Sequence, residues 1–193
     1  VLATGIVPNR PPVELQLDGR FAVPEVLVDG EATRFERRGG VLSVALPRQL
    51  APRDETRLTI RYSGRPHVAV RAPWEGGFVW AESADGRPWI ATAVQGEDCD
   101  LWWPCKEHLA DKPDRMDMHV TVPAGLSVAL NGVLRSVEER GDGRRTFHWV
   151  LNVPISDYNI SLNVGPFVRI QTSYESVNGT TVPIEFWSLP EHE

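Results

Sequence analysis

The chain has 193 residues, of which 41% are hydrophobic and 24% are charged, so it is long and apolar enough to bury a core. This composition excludes an intrinsically disordered chain. The formal net charge of -6 argues against a nucleic-acid-binding surface, because such surfaces neutralise phosphates with lysine and arginine. No apolar run approaches the roughly 20 residues of a membrane-spanning helix. We therefore expect neither nucleic acid nor membrane as a partner.

The two cysteines, Cys99 and Cys105, are too few for a disulfide framework, and their spacing matches no common zinc motif. The sequence accordingly predicts two reduced thiols, which favour a cytoplasmic location. From the opening residues we expect no signal peptide. It begins at Val1 without an initiator methionine and soon enters strand-like sequence, which predicts a fragment of a longer protein.

Short strands about ten residues apart dominate the pattern. Val13–Leu17 and Thr56–Tyr62 alternate apolar and polar side chains, as half-buried strands do. Turn pairs such as Asp29-Gly30 and Asn178-Gly179 favour hairpins. No helix of ten or more residues is predicted, so the fold class is mainly β. The predicted strands cover residues 13–17, 25–30, 32–36, 41–46, 56–62, 77–81, 88–94, 115–122, 126–130, 133–139, 144–151, 158–164, 167–174 and 181–187.

Known catalytic motifs are missing. The sequence has no nucleophile elbow, no phosphate-binding loop and no dinucleotide-binding glycine pattern. None of its five histidines stands in an H-E-x-x-H motif. We expect no catalytic residue and no metal ligand in this chain. The residues that carry chemistry concentrate in Gln95–Asp114, which holds both cysteines and two of the seven tryptophans.

Gln95 and Glu97 follow the predicted strand 88–94. They are two residues apart, so a continued strand would present both on one face. An amide oxygen and a carboxylate both accept hydrogen bonds, and together they suit an ammonium group. The simpler interpretation is a pair of solvent-facing polar residues at a strand end, and the residues alone leave both open.

Two further interpretations concern the rest of this stretch. The first concerns Trp102-Trp103-Pro104-Cys105, which would either stack a ligand or fill the edge of a core, with Pro104 fixing the turn. The Cys105 thiol would be either a nucleophile or a buried structural group. A hard-metal or mixed site is a weaker alternative, because the spacing of its ligands matches no known template. Its candidate ligands are Asp98, Asp100, Glu107, His108 and Asp111.

Four segments are similar to a known family: Gln95-Gly-Glu97, Trp102-Trp-Pro-Cys105-Lys-Glu107, Asp111-Lys-Pro-Asp114 and Met116-Asp-Met-His-Val-Thr-Val-Pro123. They resemble the N-terminal domain of the aminopeptidase N family of zinc metallopeptidases, which includes leukotriene hydrolase. That family carries a Gln-x-Glu or Gln-x-Gln element, then two aromatic residues, Pro, Cys and an acidic residue. Its later hairpin around Ser-Asn-Gly corresponds here to Leu130-Asn131-Gly132.

The resemblance implies that residues 1–193 form a saddle-shaped, antiparallel β-sandwich-like domain. It implies that the first strands of this domain and a thermolysin-like catalytic domain, its packing partner, are absent. Zinc would bind in that missing domain, so the fragment holds no cofactor and is inactive alone. In the full-length aminopeptidase, Gln95 and Glu97 would bind the free α-amine of the peptide substrate.

The alternative reading is a β-sandwich module for protein interaction or ligand binding. Its aromatic face would consist of Trp74, Trp80, Trp102 and Trp103. A carbohydrate-binding module is a weaker form of the same idea, suggested by the tryptophan content alone.

Overall fold

The computed structural model describes residues 12–94, 99–106, 108 and 110–192. These residues form short strands and three single 3-10 turns, which confirms the mainly β prediction. No helix in this part of the chain is long and apolar enough to cross a membrane. The 3-10 turns are Cys99–Leu101, Asp157–Asn159 and Pro190–His192. The strands are β1 (Val13–Gln16), β2 (Phe21–Val28), β3 (Glu31–Ala32), β4 (Phe35–Arg38), β5 (Val41–Val44), β6 (Leu58–Gly64), β7 (Gly77–Glu82), β8 (Pro88–Ala93), β9 (Met116–Pro123), β10 (Ser127–Leu130), β11 (Val133–Arg140), β12 (Arg144–Leu151), β13 (Leu162–Gly165), β14 (Val168–Glu175) and β15 (Thr181–Ser188).

The chain divides into two compact units. The first spans Val1–Gly77 and Val94–Lys112, and the second spans Phe78–Ala93 and Pro113–Glu193. In the first unit, β1, β5 and β4 form one three-stranded sheet in that order, and β3, β2 and β6 form another. In the second unit, β10, β13, β8 and β7 form a four-stranded sheet. The second unit also contains the three-stranded sheet of β11, β12 and β9 and the β14–β15 hairpin.

The core of the first unit contains residues from both of its sheets. Leu15 on β1 lies opposite Leu42 on β5 in the antiparallel register. Both side chains are buried, because the alternation of β1 and β5 turns their apolar positions to the same side. The β2 and β6 strands supply the other members of the cluster. The buried cluster consists of Leu15, Val26, Val28, Leu42, Val44 and Leu58.

One predicted strand is in fact two. Residues 32–36 were expected to be continuous, but β3 ends at Ala32 and β4 begins at Phe35 in the other sheet of the first unit. The chain changes sheets at Thr33, whose hydroxyl donates to the Ala45 carbonyl at 2.7 Å. Alternation of side chains continues across such a crossing, so the sequence pattern does not reveal it.

Arg37 on β4 fixes the turn between β1 and β2. Its guanidinium donates to the carbonyl oxygens of Leu17 at 2.7 Å, of Asp18 and of Phe21. In the same turn, the backbone N–H of Asp18 donates to the Asp100 carbonyl at 3.0 Å. The first strand of the described chain is thus connected to the stretch that the sequence singled out.

In the second unit, both hairpins predicted from turn residues are confirmed. β11 and β12 pair across residues 141–143, and β14 and β15 pair across Asn178-Gly179. The hairpin that the family resemblance places at Leu130-Asn131-Gly132 is not formed. β10 pairs with β13 while β11 pairs with β12, so this turn connects two sheets.

The predicted strand at residues 158–164 begins later, at Leu162. Asp157–Asn159 form a 3-10 turn instead, and the buried Ile160 follows it. The Asn131 side-chain oxygen accepts the backbone N–H of Ser161 at 2.8 Å. A tertiary contact therefore determines where β13 starts, and local alternation does not.

An ionic cluster at the start of β9 and on β12 predicts how the stability of the fold responds to acid. Arg115 lies 2.6 Å from Asp117, and His148 lies 3.0 Å from the same carboxylate. These two neighbours, Arg115 foremost, hold the pKa of the Asp117 carboxyl well below its usual range. A lowered carboxylate pKa stabilises the fold above the unfolded pKa near 4, and this stabilisation is lost as pH falls.

We therefore expect the free energy of unfolding to decrease between pH 5 and pH 2, and to decrease less steeply in the Asp117→Asn variant. Urea denaturation at a series of pH values measures both slopes. Asp111→Asn is the control for the loss of one carboxylate, because Asp111 forms an ion pair with Lys106 in the first unit. Identical pH slopes in the wild type and Asp117→Asn would contradict the assignment.

Candidate functional site

The centre of the candidate site is a tight coil in the first unit. The 3-10 turn Cys99–Leu101 comes directly after residues 95–98. The backbone N–H groups of Trp102 and Trp103 both donate to the Cys99 carbonyl, each at 3.3 Å. Leu101, the last residue of this turn, is buried. The coil thus folds residues 99–105 back on themselves.

Cys99 and Cys105 form a disulfide, so the prediction of two reduced thiols is wrong. Their Cα atoms are 6.2 Å apart, within the usual range for a bridge, because the coil brings together residues six apart in sequence. A single bridge needs only one pair of cysteines, so the lack of a framework of several bridges does not imply reduced thiols. The bonded sulfur also excludes the Cys105 thiol as a nucleophile. The cytoplasmic location stays a prediction, now without the support of free thiols.

Backbone pairing attaches this coil to β1. Gln16 N–H donates to the Cys105 carbonyl at 2.7 Å, and Cys105 N–H donates back to Gln16 at 3.1 Å. On the other side, the Tyr62 hydroxyl donates to the Trp102 carbonyl at 2.9 Å. Burial raises the pKa of the Tyr62 hydroxyl, which keeps it protonated as a donor. The coil is therefore held by β1 and β6 of its own unit.

The tryptophans of the proposed aromatic face differ in exposure. Trp102 and Trp103 are half-buried, and their indole N–H groups are buried without a hydrogen-bond partner among the described residues. Trp74 and Trp80 are exposed. The half-buried pair favours the structural interpretation of the Trp-Trp-Pro-Cys run, since a stacking platform requires an accessible ring face.

The described members of the alternative metal site serve other contacts. Asp111 forms an ion pair with Lys106 at 2.6 Å, and the Nδ1 atom of His108 accepts the N–H of Ala110 at 3.2 Å. Within residues 12–94, 99–106, 108 and 110–192, Asp100, His108 and Asp111 belong to no group of three possible ligands. Asp98 and Glu107, the other two candidates, lie outside the described residues.

Gln95 and Glu97 also lie outside the described residues, so their role as amine receptors stays a prediction. In sequence they stand between two buried residues, Val94 and Cys99. Sequence reasoning missed the groups that hold the adjacent coil, namely Gln16, Asp18 and Tyr62. Two of these three act through backbone atoms, which any residue type provides, so no sequence signal marks them.

No family model matches the chain. Among solved structures, an M1 zinc metallopeptidase from Deinococcus radiodurans is 27% identical, with a TM-score of 0.77, over 92% of this chain and 40% of that one. A structure of that enzyme with a Tyr-Ser-Ala substrate matches equally well. Aminopeptidase A of Legionella pneumophila, in complex with aspartic acid, shares the fold with a TM-score of 0.70 at 16% identity, over 93% of this chain and 20% of its own.

Among curated proteins, leucine aminopeptidase 2 of Vanderwaltozyma polyspora is 23% identical over 163 residues, which are 80% of this chain and 24% of that protein. The chain therefore spans about two fifths of the Deinococcus enzyme and about a quarter of the yeast protein. The resemblance read from the sequence is confirmed: the structural neighbours of this chain are M1 zinc metallopeptidases of the aminopeptidase N family.

Proposed function

We propose that the chain is the non-catalytic N-terminal β domain of a zinc-dependent aminopeptidase. One observation supports this most strongly. At 26–27% identity, about 92% of the chain adopts the fold of the Deinococcus M1 zinc metallopeptidase, yet it spans only 40% of that enzyme's length. Catalysis then belongs to the remaining part of such an enzyme, and this chain contributes substrate binding.

The described residues do not fit a catalytic zinc site. Such a site needs three protein ligands, usually histidines with a carboxylate. Among the described residues, no histidine belongs to a group of three possible ligands. We assign zinc to the thermolysin-like domain of the full-length enzyme, as the family resemblance implies, and not to the histidines that the structure describes here.

The contribution of this chain is to anchor the substrate α-amine through Gln95 and Glu97. Two acceptors, one of them charged, stabilise an ammonium group by charge-assisted hydrogen bonds. The ligands of the related M1 structures are Tyr-Ser-Ala, L-arginine and L-tryptophan. Their first side chains differ, but each ligand has a free α-amine. Fixing that amine would place the first peptide bond at a constant distance from the catalytic group.

An exposed apolar face supports packing against a second domain. Residues directly opposite in an antiparallel pair share one face, and on the β14–β15 hairpin Ile170 lies opposite Phe186 and Tyr174 opposite Val182. All four side chains are exposed. Several exposed apolar residues on one face are typical of interaction surfaces. We assign this face to the contact with the catalytic domain.

Glu97→Ala in the full-length enzyme tests the anchoring role. Loss of a charged acceptor should raise KM for free-amine peptides roughly tenfold to a hundredfold, because hydrogen bonds to charged groups contribute about 1.5–3 kcal/mol. Binding of the same peptide with an acetylated amine, measured as an inhibition constant, should change little. Glu97→Gln, which keeps an acceptor but removes the charge, should fall between. Equal losses for free and acetylated peptides would refute the role.

A further inference from the structure

We propose that His119 and His148 form a binding site for one divalent transition-metal ion of the Cu²⁺, Ni²⁺ or Zn²⁺ class. The two histidines lie on the adjacent antiparallel strands β9 and β12, directly opposite each other in the register. Their rings are stacked, with centroids 4.1 Å apart and planes within 12° of parallel. Strand pairing thus brings together two imidazoles that stand far apart in the sequence. The site is independent of the amine-anchoring function.

The distance between the two rings suits one shared ion. Opposite residues of an antiparallel pair have Cβ atoms about 5 Å apart and project from the same face of the sheet. Two imidazole nitrogens bound to one tetrahedral ion, each about 2.1 Å from it, are about 3.4 Å apart. A tilt of the rings toward each other at one edge closes their 4.1 Å separation to that distance. His119 is exposed and His148 is half-buried, so the rings have room for this tilt.

Asp117 prepares His148 to act as a ligand. The Oδ1 atom of Asp117 lies 3.0 Å from the Nε2 atom of His148. Arg115 and His148 hold the pKa of the Asp117 carboxyl well below its usual range, so at neutral pH this group is ionised and only accepts hydrogen bonds. The proton of the neutral His148 ring is therefore on Nε2, and the lone pair that binds a metal is on Nδ1. Carboxylates in this arrangement orient metal-binding histidines.

The chemistry of the neighbouring groups defines which ions fit. Imidazole nitrogens bind Cu²⁺, Ni²⁺ and Zn²⁺, whereas Mg²⁺ and Ca²⁺ require oxygen ligands. Arg115 forms an ion pair with Asp117 at 2.6 Å, so its positive charge is compensated. The two cysteines are bonded to each other and provide no competing thiolate. Within the described ranges, no third histidine, cysteine or carboxylate forms a group with this pair. Water would therefore fill the other positions around the ion.

A bound ion would link β9 to β12. In the described sheet, β9 lies at one edge, because the strand order is β11, β12, β9. Two residues further along the same face, the Thr121 and Thr146 hydroxyls share a hydrogen bond of 2.8 Å. The unfolded chain does not hold the two imidazoles together, so the ion binds the folded chain preferentially and stabilises it. We therefore expect Cu²⁺ to raise the urea midpoint of unfolding.

Calorimetric titration of the 193-residue chain with Cu²⁺ at pH 7 tests the site. We expect one ion per chain. His119→Ala and His148→Ala should each weaken binding roughly a hundredfold or more, because each leaves one imidazole without its chelating partner. Asp117→Asn should weaken binding about tenfold, through the orientation of His148. His192→Ala is the matched control, because it removes an exposed histidine outside the pair and should bind Cu²⁺ as the wild type does.

Urea denaturation provides the second measurement. Saturating Cu²⁺ should raise the midpoint of the wild type and of His192→Ala, and should leave that of His119→Ala unchanged. The same concentration of Mg²⁺ should have no effect on any of them.

Three results would overturn the proposal. The first is an unchanged Cu²⁺ affinity in His119→Ala, which would place the ion elsewhere. The second is equal binding of Mg²⁺ and Cu²⁺, which would indicate a site made of carboxylates. The third is an unchanged urea midpoint of the wild type in saturating Cu²⁺. Far-UV circular dichroism verifies that each variant is folded. If His148→Ala does not fold, His119→Ala decides, because its exposed ring is removed without opening the core.

Discussion

Replacing Gly132 with alanine is expected to lower the free energy of unfolding by about 3 kcal/mol. Gly132 has a φ of +92°, and an added Cβ would lie 2.3 Å from the carbonyl oxygen of Val150. The side chain would thus meet both an unfavourable backbone region and a rigid strand. Because this turn connects two sheets, neither side can move away without disturbing strand pairing.

Gly125→Ala is the matched control. Gly125 has the same φ of +92°, but its added Cβ would meet nothing within 4 Å. The free energy of unfolding of Gly125→Ala should decrease only by the cost of the unfavourable backbone conformation, about 1 kcal/mol. Urea denaturation of both variants separates conformational cost from steric cost. Similar losses at the two positions would contradict the close approach of Val150 to Gly132.

Leu42→Ala should be at least as destabilising, by about 3–4 kcal/mol. The Leu42 side chain is 0% exposed and belongs to the cluster shared by both sheets of the first unit. Truncation removes buried apolar surface and leaves a cavity that strands paired on both sides of β5 cannot collapse to fill.

Val70→Ala in the same unit provides the comparison. Val70 is 75% exposed, so its truncation should change the free energy of unfolding by less than about 0.5 kcal/mol. Both variants can be measured by urea denaturation at pH 7. A loss below 1 kcal/mol for Leu42→Ala would show that the two sheets do not share a core.

Most strands of this fold were predictable, because a strand that buries one face alternates apolar and polar side chains along the sequence. β1, β12 and the two hairpins with Gly-rich or Asn-Gly turns lie within a residue or two of the predicted bounds. What the pattern could not give is which strands pair. β1 pairs with β5, and β10 with β13, across long stretches of chain. Every half-buried strand shows the same alternation of apolar and polar side chains, so this pattern does not indicate which two strands pair. Partner and register depend on tertiary packing.

The sequence predicted where the candidate site lies, and that location stays a prediction because Gln95 and Glu97 lie outside the described residues. The resemblance picked out the stretch that begins at Gln95, and the described coil lies within it. The disulfide was missed because two cysteines six apart meet only when the backbone turns tightly between them. The attachment through Gln16 was missed because it uses main-chain atoms alone. Restraints of this kind depend on how the backbone folds, and the residue types in the sequence do not indicate them.

The pairing of β1 with Cys105 also bears on where this chain can be truncated. A truncation or proteolytic cut that removes Val13–Gln16 would take away the backbone partner of Cys105, which lies far along the chain. The structural effect of the cut would therefore occur at Cys105, near the middle of the sequence and a few residues after the proposed amine receptor Gln95 and Glu97. A boundary that preserves the backbone pairing of Cys105 with Gln16 has to be placed before Val13.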